Sequence, residues 1–166
     1  MKSRRLALML IAPVAALAVV AVSIPGAAAA THGVCVLKGT ASFTPGLTAT
    51  ANSESYTFSG TFTNCKGVAG ITSGTVSASG AGKLGCGNGS STGTATINWN
   101  NGTASAISFT TTSAAASTVV QATFNSGTFA GMKGKSVIAF STSTPQKCAQ
   151  GGLPTASFQG PSEIGT

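Results

Sequence analysis

Three stretches of the chain carry the letters of motifs that do chemistry elsewhere. Gly89-Ser90-Ser91-Thr92-Gly93 satisfies G-x-S-x-G, in which a serine on a sharp strand-to-helix turn raises its hydroxyl for attack on a carbonyl. Gly80-x-Gly82-x-x-Gly85 fits the dinucleotide fingerprint, and Gly134-Lys135-Ser136 has the closing letters of a phosphate loop. Each of these chemistries needs a helix that starts directly after the motif, because the helix N-terminus holds the phosphate or shapes the turn. No helical pattern follows any of the three. The first two lie in a run of Gly, Ser and Asn, and the third leads into the strand-like Val137-Ile138-Ala139-Phe140. The phosphate loop also needs a glycine at position 129, where the chain has Phe129. Ser91 is therefore not expected to be a nucleophile.

The inventory points the same way. From Thr31 onward there are six lysines, no arginine, no aspartate, two glutamates (Glu54 and Glu163) and one histidine, His32. Paired-carboxylate chemistry needs two acids a few ångströms apart, and here one precedes a strand while the other lies near the end. A histidine-based triad would have to recruit His32, and calcium sites want several carboxylates. Zinc is disfavoured because no Cys-x-x-Cys pair occurs. No catalytic residue, metal or cofactor is expected, and the chain reads as a non-enzyme.

The groups left for recognition are two rings and two lysines. Trp99 and Tyr56, if exposed, would stack on the sugar rings of a cell-envelope polysaccharide. Lys133 and Lys135, in Gly131-Met132-Lys133-Gly134-Lys135, form the one local charge cluster and would contact an anion. The opposing reading is structural. Trp99 is in phase with Ile97 and Ala95, and Tyr56 with Phe58 and Phe62, which predicts packing in the core or at its rim. The lysine cluster alternatively reads as a solvated turn. Six lysines against two glutamates leave a net charge of about +4 from Thr31 on. They are scattered, unlike the clustered bases of a nucleic-acid surface. The partner is expected to be an envelope polysaccharide, another protein or a small apolar molecule. A carrier of the last kind would need an apolar cleft of roughly 300 Å³ or more.

Export is legible at the start of the chain. Lys2, Arg4 and Arg5 precede an apolar run from Leu6 to Val22, and Pro25-Gly26 breaks it before a small-x-small site at Ala28 and Ala30. Residues 1–30 are read as a signal peptide, 31–161 as one secreted domain without stable membrane insertion, and 162–166 as a loose tail. Four cysteines in an exported chain imply two disulfides. Of three possible pairings, Cys35 with Cys65 and Cys86 with Cys148 are favoured: the first would tie two strands and the second would join two Gly-rich loops. Each would stabilise by roughly 3 kcal/mol.

The elements that hold these residues are strands. Period-two alternation runs from Val34 to Phe43 and again through Tyr56, Phe58, Gly60 and Phe62, with Pro45-Gly46 between. Ile71 to Ser79 is a weaker strand, and Gly80 to Gly93 reads as a long loop around Cys86. In Thr94-Ala95-Thr96-Ile97-Asn98-Trp99-Asn100-Asn101-Gly102-Thr103 a hairpin is predicted. A two-residue turn would put Ile97 and Ile107 on opposite faces. The three-residue loop Asn100-Asn101-Gly102 pairs Ala95 with Ile107 and keeps the apolar sets together. Thr111 to Ser117 reads as a spacer, with strands at 118–124, 137–140 and 156–160. About seven or eight short strands make a single immunoglobulin-like antiparallel β-sandwich the expected fold, with a small β-barrel as the alternative.

Cys35-x-Leu37-x-Gly39-Thr40-Ala41-x-Phe43-x-Pro45-Gly46-Leu47, followed by Tyr56-Thr57-Phe58-Ser59-Gly60-Thr61 and Cys65, resembles a group of small secreted actinobacterial proteins of unknown function. The resemblance covers about half of the exported part. It implies a disulfide-bonded β-sandwich and supplies no activity. In composition alone the chain is also similar to the secreted apoproteins that carry enediyne antibiotics, whose bridges close short local loops. Here the cysteines are separated by 30, 21 and 62 positions.

Overall fold

The computed structural model describes residues 33–68, 70–115, 117–140, 148 and 152–165. The expected signal peptide lies outside the described residues, as does His32. Eight antiparallel strands follow one another: β1 (Gly33–Leu47), β2 (Asn52–Lys66), β3 (Gly74–Leu84), β4 (Asn88–Trp99), β5 (Ala104–Ala114), β6 (Ser117–Gly127), β7 (Lys133–Phe140) and β8 (Leu153–Ile164). Each pairs with the next, and β8 returns to pair with β1, so the sheet closes on itself as an up-and-down barrel. Closure leaves no strand edge to protect.

The expected sandwich is thus replaced by its alternative, a small barrel, and the reason lies in the strand lengths. Stretches that read as loops continue the wall. Gly80 to Gly93 is the end of β3 and the start of β4, joined by a turn at 85–87. Thr111 to Ser117 divides between β5 and β6. The expected loose tail is corrected too. Ser162 to Ile164 belong to β8, and Ile164 pairs with Gly33 on one side and Gly134 on the other, which completes the cylinder. Eight strands of 8 to 15 residues joined mostly by short turns can pair in sequence order and close. A sandwich would need some of those connections to cross between sheets.

Along the strands one phase is mostly apolar or small and buried and the other mostly Ser, Thr, Asn, Gln or Lys, with Val34 and Val137 as exposed apolar exceptions. Leu37, Ala41 and Phe43 of β1 are buried, while Lys38, Thr40 and Ser42 between them are exposed. The same holds for Ala95, Ile97 and Trp99 against Thr94, Thr96 and Asn98 of β4. A barrel that spans a lipid bilayer wears its apolar band outside; this wall wears hydroxyls outside and hydrocarbon within. Among the described residues no helix is long and apolar enough to cross a membrane.

The paired positions also fix the tilt of the wall. The hydrogen-bonded row that starts at Phe43 passes through Tyr56, Gly80, Gly93, Phe109, Ala122, Gly134 and Ile164. It returns to β1 at Gly33, ten positions before its start. Such a stagger requires strands inclined by roughly 40° to the axis, which for this strand number leaves an interior of about side-chain width.

The β4–β5 turn is the three-residue loop that the phase of the pattern selects. Ala95 pairs with Ile107 and Asn98 with Ala104, Trp99 N–H donates to Thr103 O at 2.8 Å, and Gly102 has φ +82°, where a side chain would be strained. Both disulfides form as favoured from the sequence. Cys35–Cys65 joins β1 to β2 with Cα atoms 4.1 Å apart, and Cys86–Cys148 spans 6.0 Å between Cα atoms. They sit at opposite ends of the barrel.

Candidate functional site

One end of the cylinder is solid. Trp99, the last residue of β4, is 3% exposed. Its ring meets Phe62 at a centroid distance of 5.6 Å and Phe129, from the β6–β7 turn, edge-on at 5.5 Å. Phe124 closes on Phe129 at 5.6 Å. The indole N–H donates to Ser105 Oγ at 2.9 Å, and Ser105 donates onward to the Thr128 carbonyl. Asn100 Oδ1 accepts the N–H groups of Thr72 and Ser73 at 2.9 and 3.1 Å, pinning the β2–β3 connection beneath the same plug. Trp99 is a structural ring and is closed to a surface sugar.

The middle of the barrel is hollow. A cavity of about 140 Å³ lies inside the wall, lined mainly by apolar groups that include Phe43, Phe58, Phe109, Val120 and Phe140. Its origin is visible in the staggered row. Gly80, Gly93, Ala122 and Gly134 hold inward positions but supply almost no volume, and the large rings of the level lie across these gaps. A Cβ at Gly80 would fall 2.6 Å from the Tyr56 phenol oxygen, and one at Gly93 would fall 2.5 Å from the tip of the Phe109 ring. Both are closer than atoms can approach, so glycine lets the rings lie flat along the wall instead of projecting to the axis. Tyr56, Phe58, Val120 and Ala122 point inward yet are only partly buried, because the hollow is what they face.

Polar groups enter this apolar space at a few points. Tyr56 Oη and Ser91 Oγ are 2.9 Å apart, and Ser91 Oγ and Thr111 Oγ1 are 2.7 Å apart, so β2, β4 and β5 are joined by a chain of three hydroxyls on the cavity wall. Burial pushes the Tyr56 phenol above its usual 10.0, with the Ser91 hydrogen bond pulling the other way. The phenol therefore stays protonated and available as a donor at neutral pH. Ser113 with Thr118 (2.9 Å) and Ser136 with Ser162 (2.6 Å) form two further hydroxyl pairs on the lining. Glu54 is buried at the opposite end from Trp99. Its Oε2 accepts the Gly46 N–H at 2.9 Å, tying the end of β1 to the start of β2.

The sequence-predicted site residues are thus separated. Tyr56 is on the cavity wall, Trp99 in the plug, and neither ring is available to a polysaccharide outside. Lys133 and Lys135 project outward from β7, in a strand and not in a solvated turn. They border a shallow outer groove with Thr94, Thr110, Gln121 and Thr123. Ser91 sits in mid-strand at 6% exposure. It has no elbow, and its hydrogen-bond partners are hydroxyls that cannot take its proton at neutral pH. Gly80, Gly82 and Gly134 are wall positions, not phosphate loops. No group of three or more His, Cys, Asp or Glu able to hold a metal occurs among the described residues. Sequence reasoning missed Ser91 and Thr111 as cavity-lining groups. The available signal was phase, since Ser91 falls in register with Ala95, Ile97 and Trp99 on the inward face of β4.

No family model, curated protein or solved structure matches the chain.

Proposed function

We propose that this chain is an exported, non-enzymatic binding protein whose barrel holds one small, neutral, largely apolar molecule. The observation that carries the reading is the hollow at mid-barrel. Cores normally close such space to near-crystalline density, whereas here four inward positions are glycine or alanine while the end below is filled with rings. At about 140 Å³ the cavity is smaller than the roughly 300 Å³ expected of a carrier for a drug-sized ligand. It matches the size of apolar protein cavities that admit benzene or xenon. Two disulfides and the apolar leader of the sequence support a working place outside the cytoplasm. A polysaccharide-binding role has less support, because both rings it would use are turned inward and only the outer hydroxyls and lysines remain to it.

Benzene is the probe of choice. Methyl resonances of Ile107, Val120 and Ile138 in the disulfide-intact protein are expected to shift saturably as benzene is added, with the rest of the spectrum unchanged. A folded protein whose methyl spectrum ignores benzene and xenon refutes the carrier reading.

A further inference from the structure

Resting on the carrier reading, the hydroxyl chain tells more about the ligand than the cavity volume does. Tyr56, Ser91 and Thr111 bring three O–H protons to two hydrogen bonds, at 2.9 and 2.7 Å. Each hydroxyl donates once, so one proton is left over whichever way the chain runs. Chemistry fixes the direction. A phenol is a better donor and a poorer acceptor than an aliphatic alcohol, so Tyr56 donates to Ser91, Ser91 donates to Thr111, and the unspent proton belongs to Thr111. A donor at the end of such a chain is strengthened by polarisation along it. No other partner for Thr111 Oγ1 occurs among the described residues, and Thr111 is partly open on the cavity lining. In the two-hydroxyl pairs, Ser113 with Thr118 and Ser136 with Ser162, both members are aliphatic, so no end is favoured for the spare proton. No carboxylate or ammonium group belongs to the chain, and the rest of the lining is mainly hydrocarbon with two neutral hydroxyl pairs, against which an ion would be costly to desolvate.

We infer that the barrel selects an uncharged, ring-sized molecule bearing one hydrogen-bond acceptor, such as a cyclic ketone or lactone, with that acceptor on the Thr111 hydroxyl. The remainder of the ring lies against Phe58, Phe109 and Val120. An acceptor there takes the proton left unspent on Thr111, whereas a pure hydrocarbon leaves it buried without a partner.

Cyclohexanone and methylenecyclohexane test this, since they share a ring and differ in C=O against C=CH₂. Dissociation constants for both are measured by methyl-shift titration in the wild type, in Thr111→Val and in Thr111→Ser. Valine keeps the shape and removes the donor. It is expected to weaken the ketone by about tenfold relative to the alkene, and serine is expected to restore the wild-type ratio. The infrared carbonyl band of cyclohexanone bound to wild-type protein is expected below its position in an alkane solvent, which needs no variant to fold. If Thr111→Val changes both ligands equally, or the carbonyl band does not move, the acceptor selection is wrong while the apolar carrier stands. If neither ligand binds wild-type protein, the carrier reading falls with it.

Discussion

Two levels of one barrel obey the same in–out alternation and finish as opposites. At the Trp99 end the inward positions carry Phe62, Ile97, Trp99 and Phe124, and a turn contributes Phe129 to complete a plug. At mid-barrel the inward row reads Phe43, Tyr56, Gly80, Gly93, Phe109, Ala122, Gly134, and the result is a cavity. Strand number and stagger set one interior width for both levels. Side-chain volume at fixed positions then decides whether a level is core or container. Stability and capacity are therefore assigned to different heights of the same wall.

The largest expected effect breaks the plug. Trp99→Ala removes the ring that Phe62 and Phe129 pack on and leaves Ser105 without its indole donor. A loss of about 3–5 kcal/mol is expected, read as a lower midpoint in urea unfolding followed by far-ultraviolet circular dichroism. A loss under about 1 kcal/mol would mean that the end is not the cooperative core described.

A smaller pair of changes sharpens the contrast through its sign. Ala122 faces the hollow and Ala156 is enclosed at 3% exposure. Ala122→Val adds two methyl groups to empty space and is expected to raise stability by about 0.5–2 kcal/mol while excluding benzene. Ala156→Val forces the same methyl groups into filled space and is expected to lower stability by about 1–3 kcal/mol. Thermal melts of the two variants against wild type read both signs, and equal destabilisation by the two would remove the distinction between the levels.

What the sequence disclosed and concealed follows from side-chain size. Strands rich in large apolar residues were legible: the Trp99 hairpin could be read down to its three-residue turn, because the phase of Ile97 and Ile107 allows one register only. The cysteine pairs were legible as well: the first links two strands already read as a pair, and the second was favoured as a link between two Gly-rich loops. The wall from Gly80 to Gly93 was not. Glycine and serine look like a loop when taken along the chain, and their inward positions are justified by Tyr56 and Phe109 on adjacent strands, a relation visible only across the sheet. Losing those strand segments made the strands look short and the barrel look like a sandwich. The cavity was hidden for the same reason: it is made by residues that supply nothing, and Ser91 on its lining sits inside an accidental motif.

The finest test of the container level is a titration. Folding buries the Tyr56 phenol and raises its pKa above 10.0, so the folded state favours the protonated ring more strongly than the unfolded chain does. For such a group the stabilisation is fully present below the unfolded value near 10 and is lost as pH rises through the higher folded value. Lysines titrate in the same range, so the wild-type slope alone assigns nothing. The difference between wild type and Tyr56→Phe does, because phenylalanine keeps the ring over Gly80 and removes only the ionisation and the bond to Ser91. Near pH 8, Tyr56→Phe is expected to cost about 0.5–1.5 kcal/mol. Toward pH 11 the gap is expected to narrow, as the wild type alone has a buried phenol to ionise. Urea midpoints for both proteins at the two pH values measure this directly. A gap that stays constant would place the phenol in contact with bulk water and out of the interior, and the hydroxyl chain would then have no buried head to set its direction.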